Sequence, residues 1–588
     1  MTTLATLPVV IPLLAGALAL ALGRTVAVRR TIGLVASGAS AAVATILLVV
    51  VDTEGTIVVA VGGWAPPFGI ELVADRFSAL LLLASTVALF AVLVYAVSQR
   101  ATDEDFRGFH AVYQILSAGV ALALLTGDLF TMFVAFEIML TASYVLLTHR
   151  ADGSETRSAI SYVVIGLVAS ALFLISIGLI YGVTGTVNLA DLAVRLDDVD
   201  PGLRSGLGWL LFMVFGIKAA IFPLFFWLPD SYPVAPTPVT ALFAGLLTKI
   251  GVYAIIRTQT LLFPSDEPST FMLIIAGFTM VVGVLGAIAQ TDIKRILSFH
   301  IVSQIGYMIM GLGFGTVAGV AAAIVFVVHQ IIVKASLFLV GGLVEESEGT
   351  GAIDAVSGVA RRSPIIAALF LPAALSLAGF PPFSGFVGKL ALVEAGFATN
   401  AWIIVGVSLV ASVLTLFSMT KIWAGVFWGV PNTTKRRITP RGMALATATL
   451  VAVSLVIAVA AEPIVSYAER AADDLLVERV MMTQLAEVSP LKSRDIAEAF
   501  GIHPVSLSRF CGQARQQGCG ALVPKRPGPR GPNKLTVQLK RKIVHLGQRG
   551  GLSTREIAKR VSKGDVRISH MTVARVLNEN AAESEPLP

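Results

Sequence analysis

Seven ionisable side chains lie in stretches too apolar to offer them water: Glu137, Lys218, Lys249, His300, His329, Lys334 and Lys389. Glu137 sits in LFTMFVAFEIMLTASYVLL, Lys218 and Lys249 in GIKAAIFPLFFWLPDSYPVAPTPVTALFAGLLTKIG, and Lys389 in AGFPPFSGFVGK. A charge at bilayer depth costs a few kcal/mol, so it is rarely kept without a use. Burial disfavours the charged form of an acid or a base, and pairing restores it. A Glu–Lys pair in hydrocarbon can therefore pass protons or switch partners when a neighbouring charge changes. A static pair that merely holds helices together is the alternative. His329 and Lys334 are five residues apart and point about 140° away from each other on an ideal helix, as successive stations rather than one ligand pair. The chemistry on offer is proton transfer along a chain of buried groups.

Other chemistry finds little support. No GxxxxGK[ST] loop is present, and no GxGxxG stands between a strand and a helix. Cys511 and Cys519 are the only cysteines, so a cysteine-held cluster is not available to the first 480 residues. No histidine cluster offers haem or metal ligands, and no bound cofactor is expected. Asp128, Asp230 and Lys421 fall near the ends of apolar runs, where a solvated role is expected.

The elements that must position these groups are membrane spans. The chain is 55% hydrophobic and 14% charged, with a mean hydropathy of +0.82, against roughly 25% charged residues in soluble domains. Apolar runs of about 20 residues occur near 3–22, 31–51, 77–98, 110–126, 129–147, 158–181 and 207–228. They continue near 237–257, 270–290, 295–314, 317–344, 363–398 (interrupted), 402–428 and 441–462. The expected fold is all-α and polytopic, with about fourteen transmembrane helices. Odd-numbered loops carry the cations, among them Arg24, Arg29, Arg30, Arg100, Arg107, Arg150, Lys294, Arg295, Arg361, Arg362, Lys435, Arg436 and Arg437. The positive-inside rule then places both termini outside. Spans seven and twelve are broken, by Pro223 and Pro229 and by Pro381 and Pro382. Such breaks survive at depth only where protein or a water-filled cavity surrounds the freed backbone groups. Two interrupted spans five helices apart predict two inverted five-helix repeats, spans 4–8 and 9–13.

The buried Glu and Lys residues, together with both proline-broken segments, resemble the antiporter-like proton-translocating subunits. These are shared by respiratory complex I, membrane-bound hydrogenases and Mrp-type Na⁺/H⁺ antiporters. The likeness spans about residues 1–475 and is greatest to the D subunits of the Mrp type. It implies two inverted half-channels, with Glu137 paired to Lys218 and Lys249 relaying protons toward the centre. His300, His329, Lys334 and Lys389 would carry the second half. It also implies partner subunits in a cell-membrane complex that exchanges Na⁺ for protons. A proton-pumping subunit of a complex I-like NADH dehydrogenase or a membrane-bound hydrogenase is the alternative.

The chain changes character near residue 476, which divides a membrane domain, 1–476, from a tail, 477–588. From Met481 onward there are 18 Lys and Arg against 8 Asp and Glu. That net of +10, within a total of +7, leaves the rest at −3. SRDIAEAFGIHPVSLSRFCGQARQQG and LSTREIAKRVSKGDVRISHMTVARVLNE have helix–turn–helix spacing, the first turning at Gly501 with a second helix from Pro504. The pair resembles the DNA-binding front end of insertion-sequence transposases, whose basic charge suits DNA phosphates. A tail outside the cell meets no chromosome, so a physiological DNA partner is not expected.

Overall fold

The computed structural model describes residues 2–64, 69–99, 106–148, 154–264, 269–430 and 439–476, together with Ser553 and Glu556. The chain divides into two compact units, Met1–Gly518 and Cys519–Pro588. In the second, the Ser553 amide donates to the Glu556 carboxylate at 2.9 Å and the Glu556 amide reaches Ser553 Oγ at 3.4 Å. This is the reciprocal contact of a capping box. The remainder of the helix–turn–helix reading, Gly501 and Pro504 included, lies outside the described residues, as do Arg100, Arg150, Lys435, Arg436 and Arg437.

A segment surrounded by lipid must satisfy its own backbone, so the apolar runs become helices. In chain order these are α1 (Thr2–Leu22), α2 (Val26–Glu54), α3 (Arg76–Ser98), α4 (Phe109–Leu125), α5 (Leu129–Thr148), α6 (Ser154–Thr184), α7 (Pro201–Ala219) and α8 (Thr237–Leu261). Then follow α9 (Thr270–Ala289), α10 (Ile293–Gly313), α11 (Val317–Glu348), α12 (Pro364–Ala378), α13 (Ser384–Ala398), α14 (Trp402–Phe427), α15 (Arg441–Val459) and α16 (Ala461–Leu476). Among the described residues, eleven of these helices are long and apolar enough to cross a membrane. The three other expected spans fall on the shorter α4, on α7 with the turn at Trp227–Ser231, and on α12 with α13. The protein is a multi-pass membrane protein.

Two features amend the all-α expectation. Ile57–Ala60 (β1) and Glu71–Ala74 (β2) pair as an antiparallel ribbon, Ile57 opposite Ala74 and Ala60 opposite Glu71. Each strand has β-branched or alternating residues beyond the apolar run of α2, which is what a short ribbon needs. The fourteenth apolar run ends at Val459 rather than near 462, and α16 follows as a separate amphipathic helix. Its apolar side packs against α3, α8, α11 and α15.

Burial sorts the helices by what they carry. The apolar windows of α8 and α11, which hold Lys249, His329 and Lys334, are wholly buried, whereas those of α2 and α6 are 33% buried. The two helices that carry Lys249, His329 and Lys334 thus lie in the interior, and α2 and α6 at the periphery.

Three local devices occur twice. Asp128 and Asp292 cap α5 and α10, accepting from the amides of Thr131 at 2.6 Å and Arg295 at 3.0 Å. Each cap also forms an antiparallel bridge to a later loop, Asp128 with Asn188 and Asp292 with Ala352. α7 and α12 end on left-handed residues, Ala220 at φ 62° and Gly379 at φ 85°. α8 and α14 each contain a π-turn, Phe243–Leu247 and Trp423–Phe427.

Candidate functional site

The first cluster gathers where α5, α6 and α7 meet. Glu137 and Lys218 are joined through a third side chain, since the Ser170 hydroxyl donates to the Glu137 carboxylate and accepts from Lys218 Nζ at 2.9 Å. The Lys218 ammonium also lies over the Phe136 ring, 5.3 Å from its centroid. A cavity of about 30 Å³ beside Lys218, lined by Phe136, Tyr162, Trp227 and Tyr232 among others, has room for one or two waters. The expected pair is thus bridged rather than direct. A hydroxyl that donates to one charge and accepts from the other can pass a proton between them by turning over its own hydrogen bonds.

Lys218 lies two residues before the left-handed cap at Ala220, where α7 stops. α8 crosses this break closely: a Cβ on Gly251 would lie 2.8 Å from the Ala219 amide nitrogen. Only glycine lets the two backbones approach so nearly. The same crossing holds Lys249, two residues away and 1% exposed, at the interior. Its ammonium donates to the Ala244 carbonyl inside the π-turn. π-turns of this kind are frequent at functional sites.

The second cluster is built around the break between α12 and α13. Pro382 has no amide to give the Ala378 carbonyl four residues earlier, and Lys389 Nζ takes that acceptor at 3.0 Å. Gly379 makes room, because a Cβ there would meet the Lys389 side chain at 2.6 Å. The Lys389 ammonium lies 4.7 Å from the Tyr307 ring centroid. His329 Nδ1 shares a hydrogen bond with Ser384 Oγ at 2.9 Å, and Ser384 contacts Ser376 at 2.9 Å and Ser454 at 3.0 Å. Pro223 and Pro381 lie at the two breaks, and Pro229 follows in the short helix after the first.

Between these clusters α10 and α11 run side by side. Lys334 Nζ donates to the Leu297 carbonyl at 3.4 Å, and His300 Nε2 shares a hydrogen bond with Ser418 Oγ at 2.9 Å. Gln330 donates to Gln304 at 3.2 Å, one helical turn from Lys334 and from His300 respectively. His300 Nδ1, His329 Nε2, Gln304 Nε2, Gln330 Oε1 and Thr248 Oγ1 are buried without a protein partner. Buried polar atoms of this sort recruit ordered water. The seven expected residues therefore form a discontinuous series, connected by hydroxyls, amides and polar gaps rather than by direct charge contacts.

The remaining expected polar residues are structural. Asp128, expected to be solvated, is instead buried, because it caps α5, whereas Asp230 pairs with Arg295 at 2.9 Å on the exposed surface. Lys421 donates to the Ile288 and Gln290 carbonyls at 2.9 and 2.7 Å, closing the end of α9. Lys294, counted above among the loop cations, is buried and pairs with Glu345 at 2.7 Å. Sequence reasoning missed Ser170, Ser384, Ser418, Gln304 and Gln330. The two glutamines were visible as amides in mid-span. The serines carried no signal, since a serine in an apolar helix usually bonds its own backbone.

The family model for "NADH:quinone oxidoreductase/Mrp antiporter, TM" matches residues 126–415. The D subunit of the Na(+)/H(+) antiporter of Alkalihalophilus pseudofirmus is 41% identical over 481 residues, 81% of this chain and 98% of that protein. The chain belongs to the D-subunit family of Mrp antiporters. The corresponding D subunit of Bacillus subtilis is 38% identical over 477 residues, covering 80% of this chain and 96% of its own length. Among solved structures, the Mrp complex from Dietzia sp. DQ12-45-1b contains a chain that superposes with a TM-score of 0.76 at 34% identity. That match covers 81% of this chain and 98% of the other. These relatives are accounted for almost end to end, whereas part of this chain is left over.

Proposed function

We propose that the chain is a proton-translocating subunit of a multisubunit Na⁺/H⁺ antiporter in the cell membrane. The Glu137–Ser170–Lys218 bridge carries this reading. It is a proton-exchanging contact between two charges in a membrane interior, with Lys249 on the neighbouring helix. Protons pass from this cluster by way of Lys249 to Lys334, His300 and His329, and on to Lys389, with water and the Gln304–Gln330 bridge filling the gaps. The doubled cap, break and π-turn support two inverted five-helix repeats within fourteen spans, and the loop charges support both termini outside. Partner subunits of the Mrp type complete the complex and handle Na⁺. Residues 477–588 are a fused segment with no part in transport and no physiological DNA partner.

The test is Na⁺-induced collapse of ΔpH in everted vesicles, with the chain co-expressed with a full set of Mrp-type partners. Wild type is expected to be active and Lys218→Ala silent at equal protein level, while a chain ending at Leu476 retains activity. Equal activity of wild type and Lys218→Ala refutes the proton path. Silence of wild type and the shortened chain alike turns the reading toward a redox-driven complex.

A further inference from the structure

Beyond Lys249, α8 carries two polar groups, Tyr253 and Arg257, that the transport reading leaves unused. Lys249, Tyr253 and Arg257 are spaced four residues apart, so they stack along one face toward the Leu261 end. Arg257 Nη1 pairs with Asp75 Oδ2 at 2.5 Å, and both side chains are nearly dry, 10% and 12% exposed. The guanidinium also donates to the Tyr253 hydroxyl at 3.1 and 3.3 Å and lies 5.4 Å from the centroids of Phe77 and Tyr253. Those two rings contact each other, with centroids 4.9 Å apart. The Tyr253 hydroxyl donates in turn to the Leu124 carbonyl at 2.7 Å. Asp75 is held by more than its charge, because it exchanges capping-box bonds with Ser78 at the start of α3.

The next residue faces the other way. Arg76 pairs with Asp52 of α2 at 2.9 Å and with Asp474 of α16 at 2.8 Å, and Arg470 of α16 reaches the same Asp52 at 2.9 Å. These outer groups are wetter, from 21% to 43% exposed. Two adjacent residues thus join a dry inner pair to a wet outer network, and α16 covers the junction. The acid of the inner pair stays charged: burial pushes the Asp75 carboxyl up, but the Arg257 charge and the bonds from Arg257 and Ser78 outweigh it and hold it below the usual range.

A buried ion pair is weak evidence for stability, since a well-packed neutral pair often serves as well. Its position gives it another use. An arginine stays charged and cannot itself relay a proton, and a charge pair held this dry leaves little room for water beside it. This one stands in an aromatic collar, in line with Lys249. We propose that the Asp75–Arg257 pair is an electrostatic gate at the Leu261 end of α8. It seals Lys249 from the aqueous phase on that side, and α16 keeps it in place. The gate rests on the transport reading given above, and it adds to that reading a group that blocks leak rather than one that carries protons.

The experiment uses the full complex in everted vesicles, with a ΔpH imposed in the absence of Na⁺. Asp75→Asn with Arg257→Gln removes both charges together, leaves no unpaired buried charge, and keeps a capping side chain at position 75. The imposed ΔpH is expected to decay about tenfold faster, which corresponds to about 1.4 kcal/mol off the barrier to proton passage. Adding Lys249→Ala should restore tightness by interrupting the column behind the gate. A double variant that assembles and holds ΔpH like wild type overturns the proposal, and so does a leak that Lys249→Ala leaves unchanged. If the double variant fails to assemble, Tyr253→Phe decides, because it removes only the hydroxyl that steadies the guanidinium. A faster decay then supports the gate, and wild-type tightness refutes it. Na⁺-driven exchange by wild type in the same vesicles reports the transport reading separately, so the two can fail independently.

Discussion

Replacing Ser170 tests whether the bridge between Glu137 and Lys218 works as a relay. Ser170→Ala removes the hydroxyl that donates to Glu137 and accepts from Lys218 at 2.9 Å, while leaving both charges and the fold of α6 in place. A hydrogen bond to a charged group is worth about 1.5–3 kcal/mol. Losing about 2 kcal/mol of that in the transfer step slows it about 30-fold. The cavity beside Lys218 is lined by Ile165, Gly166 and Ala169 of the same helix, so water can partly replace the hydroxyl, and the slowing should not exceed this figure. The assay is the initial rate of Na⁺-induced ΔpH collapse in everted vesicles at matched protein level. Ser170→Thr keeps a hydroxyl and is expected to recover most of the rate, which a purely structural role for Ser170 would not predict. A Ser170→Ala rate within about twofold of wild type would refute the reasoning, since twofold is under 0.5 kcal/mol.

Two further outcomes separate backbone support from transport. Lys421→Ala strips the cation that closes the Ile288 and Gln290 carbonyls; it should cost about 1–3 kcal/mol of stability, seen as a lower unfolding temperature of the purified complex. The assembled fraction should still exchange Na⁺ at the wild-type rate, and a silent but fully assembled variant would place Lys421 in the path. Ala220→Gly should raise that temperature, because alanine at φ 62° carries about 1–2 kcal/mol of left-handed strain that glycine relieves. A lower temperature would show that the cap at the α7 break is not strained.

The legible part of this protein was set by local rules. A run of apolar residues forms a helix whatever surrounds it, so the spans could be read one by one, and a proline removes its own amide wherever it falls. Glu137, Lys218, Lys249 and Lys389 declared themselves because a charge in such a run is costly in any fold. What joins them could not be read this way. Ser170 lies 33 residues from Glu137 and 48 from Lys218, and Ser418 lies 118 from His300. Serine is cheap in an apolar helix, so nothing in its own neighbourhood marks it, and only the packing of α6 and α14 gives these hydroxyls a partner. Arg257 and Asp75 tell the same story at the end of α8: each stands at the edge of an apolar run, where nothing in its own neighbourhood marks it. Tertiary structure made them a dry pair, because it brought the start of α3 to the last turns of α8 and laid α16 nearby. The sequence determined which charges lie in mid-span; the packing of distant helices buried others near the span ends and decided which of them meet.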